Sequence, residues 1–200
     1  MRPVLGLIIT LIIIISGCIS QGGENLKLEG KKILMIIASE NFRDEEYFHT
    51  KEVLEGYGAQ IVTASSRAGE IKGMLGGSAI AEKTLDDVNV SDFDAVVFVG
   101  GTGAAEYFNN EKALSIARDA YNSGKVVGAI CIAPSILANA GILENKNVTS
   151  FPSEKDNIQS KGGIYTGDQV SRDGRIITAS GPAAARMFGE EIAKVLGGES

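Results

Sequence analysis

The fold is decided by one stretch of nine residues, which reads Val126-Val127-Gly128-Ala129-Ile130-Cys131-Ile132-Ala133-Pro134. Its first five residues are apolar without polar alternation, which is typical of a strand buried on both faces of a parallel sheet. Pro134 favours the first turn of a helix, where proline is tolerated. Cys131 lies between this strand and this helix, so a sharp turn would lift its side chain above the sheet. The small residues Ala129 and Ala133 fit such a turn, and we predict a nucleophile elbow at Cys131.

Strands and helices alternate along the rest of the chain. Further buried strands are predicted at residues 33–38, 61–64 and 95–99, each an apolar run of strand length. Helices are predicted at residues 44–57, 111–123, 133–140, 153–160 and 183–196. Shorter strands are predicted at residues 148–150 and in two hairpins, at residues 69–81 and 170–178, the second turning on Asp173-Gly174. This order predicts an α/β fold, a three-layer sandwich with helices on both faces of a mostly parallel sheet.

The composition is that of one globular domain and excludes several classes of protein. The chain has 200 residues, 44% of them hydrophobic, with 25 glycines and 4 prolines, which excludes a disordered or fibrous chain. The formal net charge of −6 argues against a nucleic-acid partner, because phosphate contacts need clustered cations. Two cysteines and one histidine are too few for a zinc site of the Cys/His type. We therefore predict neither a metal nor a cofactor.

The first 17 residues have the features of a signal peptide. Arg2 provides a positive start, and the apolar run that follows is shorter than the roughly 20 residues of a membrane-spanning helix. The run ends at Ser16-Gly17-Cys18, which resembles a lipoprotein box, so we predict lipidation of Cys18. The alternative is a plain membrane anchor in which Cys18 has no role. Either way the expected location is the extracytoplasmic face of the cell membrane, with residues 18–30 as the lipidated cysteine and tether.

Two sequence triplets match the acceptor pattern for N-linked glycans. They begin at Asn89 and Asn147. Such triplets are common by chance, so the glycosylation of these residues stays open.

Cys131 is the candidate nucleophile. The start of the following helix is expected to lower the pKa of the thiol and make it nucleophilic at neutral pH. The backbone N–H groups of Ile132 and Gly101 are the expected oxyanion-hole donors, since Ile132 follows the nucleophile and Gly101 ends the neighbouring strand. The alternative is a buried structural cysteine. The glycines around Gly101 also fit a phosphate-binding loop, but neither a dinucleotide fingerprint nor a P-loop lysine accompanies them.

Four motifs together resemble those of a known family. They are Asn41-Phe42-Arg43-Asp44-Glu45-Glu46, Val97-Phe98-Val99-Gly100-Gly101, Ala129-Ile130-Cys131-Ile132-Ala133-Pro134 and Gly181-Pro182-Ala183-Ala184. The chain resembles the ThiJ/PfpI superfamily, which includes protein deglycases and archaeal intracellular proteases, over nearly all of residues 31–197. The resemblance implies a flavodoxin-like domain at residues 31–200, a reactive elbow cysteine and a carboxylic acid hydrogen-bonded to it. Glu46 matches that acid, with Glu40 as the alternative.

A carboxylic acid beside the thiol has a chemical reason. A protonated Glu46 can donate a hydrogen bond to a thiolate, and later to an oxidised sulfur, without like-charge repulsion. The simpler alternative for an acidic residue here is compensation of the helix dipole.

One departure from the family pattern argues against peptidase activity. Ile132 stands where the PfpI proteases carry a histidine directly after the elbow cysteine. Glutamine amidotransferases share the elbow but need a histidine far downstream, and the only histidine of this chain is His49. His49 follows Glu46 by one helical turn, where it either lines the cleft or a dimer edge or is a structural or solvent-facing residue.

Three functions remain open from the sequence. The first, implied by the resemblance, is a cofactor-free glyoxalase or deglycase in which Cys131 and Glu46 act on small reactive carbonyl compounds. The second is a redox-sensing or stress-protective, chaperone-like protein in which Cys131 is oxidised and damaged proteins are the partners. The third is a binding module with an inert Cys131. The resemblance also implies a homo-oligomer, a dimer or higher, with Glu106 or Tyr107 close to a neighbour's cleft.

Overall fold

The computed structural model describes residues 26–198. The predicted signal peptide, Cys18 and the first part of the tether lie outside the described residues. Within residues 26–198, no helix is both long enough and apolar enough to cross a membrane.

Strands and helices alternate through the described residues. The strands are β1 (Lys32–Ile36), β2 (Gln60–Ser65), β3 (Gly69–Lys72), β4 (Ser78–Ala81), β5 (Lys83–Thr84), β6 (Ala95–Phe98), β7 (Val126–Ile130), β8 (Asn147–Val148), β9 (Ile164–Tyr165), β10 (Val170–Asp173) and β11 (Ile176–Ala179). The α-helices are α1 (Asp44–Gly56), α2 (Glu111–Asn122), α3 (Pro134–Asn139), α4 (Lys155–Ser160) and α5 (Ala185–Gly197). A 3₁₀ segment, Thr102–Tyr107, follows β6.

A seven-stranded sheet forms the centre of the domain, in the order β10-β11-β7-β6-β1-β2-β5. Every pair in it is parallel except β10 with β11. β6 and β7 are direct neighbours, with Phe98 opposite Ala129, so the residues that follow these two strands meet at one edge. The predicted α/β class and the mostly parallel sheet are confirmed. In such sheets the carboxyl ends of the strands are where ligands bind.

Two apolar cores lie on opposite faces of the sheet. Along β1 the side chains alternate, with Ile33 and Met35 in one core and Leu34 and Ile36 in the other. The first core includes residues of α1 and α5, and the second includes residues of α2 and α3. The apolar runs without polar alternation arise because both faces of each central strand are covered. Helices on both faces make the predicted three layers.

Gly128 shows how tightly the layers pack. A Cβ added to this residue of β7 would lie 2.9 Å from the ring of Phe188 in α5. A larger residue would push α5 away from the strand that leads to Cys131.

Two local predictions were less accurate. The hairpin of β10 and β11 turns on Gly174 and Arg175, not on Asp173-Gly174, because Asp173 still pairs with Ile176. Asp173 is held there by hydrogen bonds from the side chain of Lys146 and the backbone N–H of Asn147. The predicted strand at 148–150 is shorter and pairs with β9, which was not predicted.

Candidate active site

The chain turns sharply at Cys131, between β7 and α3. Cys131 has φ +64°, a left-handed conformation that is costly for a residue with a side chain. Its N–H donates to the carbonyl of Ala179 at 2.9 Å, and its carbonyl accepts from the N–H of Phe151 at 2.7 Å. These bonds come from distant parts of the chain and hold the strained turn, which has the backbone geometry of a nucleophile elbow.

Glu46 reaches Cys131 from the first turn of α1. Its side chain is fully buried, and its Oε2 accepts a hydrogen bond from the backbone N–H of Gly100 at 3.0 Å. The carboxyl also lies beside the Cys131 thiol, and its interaction with the thiol lowers the pKa of Glu46. Among the described residues, the other carboxyl oxygen, Oε1, has no hydrogen-bond partner although it is buried. The structure therefore brings together the two residues that the resemblance paired.

Gly100 and Gly101 make room for this pair. A Cβ on Gly100 would lie 2.5 Å from Oε2 of Glu46 and 2.6 Å from Cβ of Cys131. Gly101 has φ +96°, and a Cβ there would overlap the backbone of Arg43. Only glycine fits at both positions. The sequence analysis predicted Gly101 as a site residue but missed Gly100, whose N–H donates to Glu46. The position of Gly100 in a run of glycines after a buried strand was the signal that could have identified it.

Two backbone donors converge on the sulfur. The backbone N–H groups of Gly101 and Ile132 both face the Cys131 thiol, and their interaction with the sulfur lowers its pKa. These are the two groups that were predicted as oxyanion-hole donors, so the structure places them where an atom bound to the sulfur would lie close.

Burial controls the charge of the pair. It raises the pKa of Glu46 from 4.5 to about 7, an effect that the contacts with Cys131 and Gly100 reduce only in part. Burial, together with the neighbouring Glu46 charge, also raises the pKa of Cys131 to about 12. The predicted lowering of the thiol pKa by the following helix is wrong. α3 has only 6 residues, so burial and the carboxylate outweigh its dipole.

The pair opens into a cavity of about 310 Å³. Its walls are largely apolar and include Met74, Ile132, Phe151 and Pro182. The cationic side chain on its lining is Arg43, whose guanidinium donates to the Glu45 carboxylate at 2.8 and 3.1 Å. A cavity of this size with apolar walls accepts a small, mostly neutral molecule. Arg43 and Phe151 were not predicted as site residues.

The remaining candidate residues lie elsewhere. Glu40 is exposed, and His49 is half-buried on α1 and does not line the cavity. Tyr107 is buried, and its hydroxyl donates to the carbonyl of Ile37. That Glu106 or Tyr107 comes close to a neighbour's cleft stays a prediction. Glu106 accepts from the N–H and hydroxyl of Ser39 in its own chain.

The two glycan acceptor asparagines, Asn89 and Asn147, are both exposed. Within residues 26–198, no three His, Cys, Asp or Glu side chains cluster in a way that could hold a metal ion.

Comparison with known proteins places this chain in a family. A model of the DJ-1/PfpI family matches residues 31–195. The chain belongs to the DJ-1/PfpI family. An uncharacterized protein of Methanocaldococcus jannaschii is 40% identical over 200 residues, which covers 98% of each chain. A deglycase of Pyrococcus horikoshii is 36% identical over 165 residues, covering 82% of this chain and 99% of the deglycase.

A more distant relative and a solved structure agree with this assignment. A glutathione-independent glyoxalase of Caenorhabditis elegans is 29% identical over 168 residues, covering 84% of this chain and 90% of the glyoxalase. The crystal structure of a ThiJ/PfpI domain protein from Brachyspira murdochii superposes with a TM-score of 0.82 at 32% identity, covering 84% of this chain and 98% of that one. The resemblance to this family and the flavodoxin-like fold are confirmed.

Proposed function

We propose that this DJ-1/PfpI domain is a cofactor-free, cysteine-dependent enzyme that acts on small reactive carbonyl compounds such as methylglyoxal, or on their adducts with amines. The observation that carries the proposal is the convergence on the Cys131 sulfur of one buried carboxyl and two backbone N–H donors, inside an apolar cavity. Relatives named deglycase and glyoxalase support the same class of chemistry.

In the proposed reaction Cys131 is the nucleophile and Glu46 moves the protons. The sulfur attacks the aldehyde carbon of methylglyoxal while the ionised Glu46 accepts the thiol proton and passes it to the new oxygen, which forms a hemithioacetal. The N–H groups of Gly101 and Ile132 stabilise the oxygen as its charge develops. Glu46 then moves the proton of the former aldehyde carbon to the ketone carbon, and the hydroxyl proton passes to the ketone oxygen, which gives a lactate thioester. Water hydrolyses the thioester to lactate and restores the thiol.

The test is lactate production from methylglyoxal by a fragment of residues 26–200. The P. horikoshii deglycase is matched over 99% of its length by this part of the chain, so a protein made of this domain alone exists. Cys131→Ser and Glu46→Gln are each expected to lower kcat/KM at least about a hundredfold. Glu40→Gln removes the same charge at an exposed position and is the matched control. Turnover that survives Cys131→Ser would contradict the proposal.

A redox or stress-protective role is the second candidate, favoured by the unpartnered Oε1 of Glu46. Cys131 would be oxidised by two equivalents of peroxide to a sulfinate, with release of two water molecules, and a protonated Glu46 would donate to a sulfinate oxygen. Selective oxidation of Cys131 by mild peroxide, found by mass spectrometry in a protein without turnover, would replace the enzyme proposal with this one.

Peptidase activity is not proposed. A cysteine peptidase needs an imidazole beside the sulfur. Ile132 occupies the position after Cys131, and His49 does not line the cavity. The nucleophile therefore has a carboxyl partner instead of a histidine.

We further propose that the chain is held at the extracytoplasmic face of the cell membrane by a lipid on Cys18 after removal of residues 1–17. The lipoprotein-like sequence before Cys18 supports this proposal. Mass spectrometry of the mature N-terminus tests it. A lipid on Cys18 is expected, and release of the protein by Cys18→Ser would distinguish a lipid from a plain hydrophobic anchor.

A further inference from the structure

A second cavity lies at the sheet edge opposite Cys131. It has a volume of about 350 Å³, and three cationic residues line it, namely Lys31, Lys125 and Arg175. Each of them directly precedes a strand: Lys31 precedes β1, Lys125 precedes β7, and Arg175 precedes β11. These strands are parallel, so their amino ends meet at one edge while Cys131 follows the carboxyl end of β7.

The charges around this cavity do not balance. Among the described residues that line it, Asp94 is the one carboxylate. Both of its oxygens are engaged, Oδ1 by the side chain of Lys31 at 3.3 Å and Oδ2 by the N–H of Lys32 at 2.9 Å. Neither Lys125 nor Arg175 forms a salt bridge with another described residue. The chain as a whole carries a formal charge of −6, so three cations against one carboxylate, counted over residues 26–198, make the lining of this cavity an exception.

The amino-terminal end of the described chain lies beside this cavity. Leu26 contacts Gly197, because a Cβ on Gly197 would overlap the Leu26 side chain. Val195 and Leu196, which precede Gly197, line the cavity. Any segment that precedes residue 26 therefore joins the domain close to the cationic residues.

We propose that this basic cavity binds the phosphate headgroup of an anionic membrane lipid and holds the amino edge of the sheet against the membrane. Lysine and arginine side chains donate charge-assisted hydrogen bonds to phosphate oxygens. The choice of a lipid over a soluble phosphate rests on the proposed membrane attachment and on the position of Leu26. The cavity that contains Cys131 then faces away from the membrane and stays open to small molecules.

The fragment of residues 26–200 tests this proposal without the anchor. Its sedimentation is measured with vesicles of phosphatidylcholine alone and with vesicles in which a third of the lipid is phosphatidylglycerol, at low salt. We expect binding to the anionic vesicles only. The double variant Lys125→Gln/Arg175→Gln is expected to weaken that binding about tenfold or more.

A second double variant, Arg67→Gln/Lys155→Gln, is the matched control. It removes the same charge at exposed positions that do not line the cavity, and its binding is expected to stay within about twofold of the unsubstituted fragment. Melting temperatures check that both variants are folded. In the third arm of the experiment, the unsubstituted fragment is titrated with inorganic phosphate and the binding of phosphate is measured.

Three outcomes would overturn the proposal. Equal binding to both kinds of vesicle would show that charge is not recognised. Equal losses in the two double variants would show that net charge acts without the cavity. Tight binding of inorganic phosphate without binding to anionic vesicles would assign the cavity to a soluble anion. None of these outcomes bears on the methylglyoxal reaction, because the two cavities lie at opposite edges of the sheet.

Discussion

At the residue scale, the reactivity of Cys131 depends on which group of the pair carries the charge. Burial raises the pKa of Glu46 to about 7 and that of the thiol to about 12, so Glu46 loses its proton first as the pH rises. Above neutral pH, Glu46 is then the acceptor and Cys131 the donor. This order suits a reaction in which the thiol proton leaves as the sulfur attacks.

The charge on Glu46 raises the pKa of the Cys131 thiol, and this effect can be measured without a substrate. Glu46→Gln removes the neighbouring charge that raises the thiol pKa. We expect iodoacetamide to alkylate Cys131 several-fold faster in this variant at pH about 8, since a thiol pKa lower by one unit gives about tenfold more thiolate. Glu40→Gln should leave the rate unchanged. A slower alkylation in Glu46→Gln would mean that Glu46 stabilises the thiolate instead.

The raised pKa of Glu46 also makes stability depend on pH. The native protein binds this proton more tightly than the unfolded chain, so the contribution is fully present below pH 4.5 and is lost as the pH rises through about 7. The change corresponds to about 3 kcal/mol of the free energy of unfolding. Urea denaturation at pH about 5 and about 8 should show this loss in the unsubstituted fragment. A Glu46→Gln variant with the same pH dependence would contradict the assignment.

Gly100 has no room for a side chain beside the Glu46–Cys131 pair. Gly100→Ala would place a methyl group 2.5 Å from Glu46 Oε2, so the pair must separate. We expect a loss of at least about 2 kcal/mol in the free energy of unfolding and of most of the Cys131-dependent activity. Gly56→Ala is the control, because a Cβ there meets no atom within 4 Å. Its stability should change by no more than about 1 kcal/mol. Denaturation curves of both variants provide the comparison.

At the scale of elements, the site is assembled from the carboxyl ends of neighbouring strands and the first turn of α1. β7 provides Cys131, the end of β6 provides Gly100 and Gly101, and α1 provides Glu46. Tyr107 holds the 3₁₀ segment after Gly101 against the residues that follow β1 and β2. Its hydroxyl donates to the carbonyl of Ile37 at 2.8 Å and accepts from the N–H of Ser66 at 2.9 Å.

Tyr107→Phe tests this attachment. It leaves a buried carbonyl and an N–H without their partner, so we expect a loss of about 1 to 3 kcal/mol in stability. Hydrogen exchange should also become faster in the segment that follows Gly101. Tyr165→Phe removes one hydroxyl bond, to the carbonyl of Ser150 at 3.2 Å, from a half-buried ring and should cost less. Equal losses in the two variants would contradict the special role of Tyr107.

At the scale of the whole molecule, exposed apolar side chains lie on α1 and the β3–β4 hairpin, and one of them, Met74, also lines the Cys131 cavity. Phe48 of α1 and Met74, Leu75 and Ile80 of the β3–β4 hairpin are between 37% and 61% exposed. Such a patch is typical of an interface. From this patch and the family resemblance together, we propose that the chain forms a homo-oligomer.

The oligomer can be tested by light scattering on the fragment of residues 26–200. We expect a dimer or larger species, and we expect Leu75→Glu/Ile80→Glu to reduce the mass to that of a monomer, because a charged residue is costly to bury in an apolar interface. Ile164→Glu changes a residue of similar exposure on β9 and should leave the mass unchanged. A monomeric unsubstituted fragment would contradict the proposal.

The patterns that were read correctly from the sequence are local. Apolar runs without alternation identified the central strands, because both faces of each strand are buried, and Pro134 with Gly100-Gly101 marked the turns that follow two of them. Boundaries were less accurate for β8 to β10, where Asp173 and Lys146 hold a turn through contacts that local patterns do not show. Glu46 was identified as the carboxylic acid beside Cys131 through the family resemblance, because hydrophobic periodicity does not show which acidic residue of α1 faces the cysteine.

The sequence by itself determined the fold class, the place of Cys131 between a strand and a helix, and the acidic balance of the whole chain. Only the tertiary structure decided the charge state of the site and the position of the basic cavity. The physical reason is that pKa values and local fields depend on burial and on neighbours in space. Gly100 meets Glu46 across 54 positions of the chain, and the parallel strands bring Lys31 to Lys125 and Arg175.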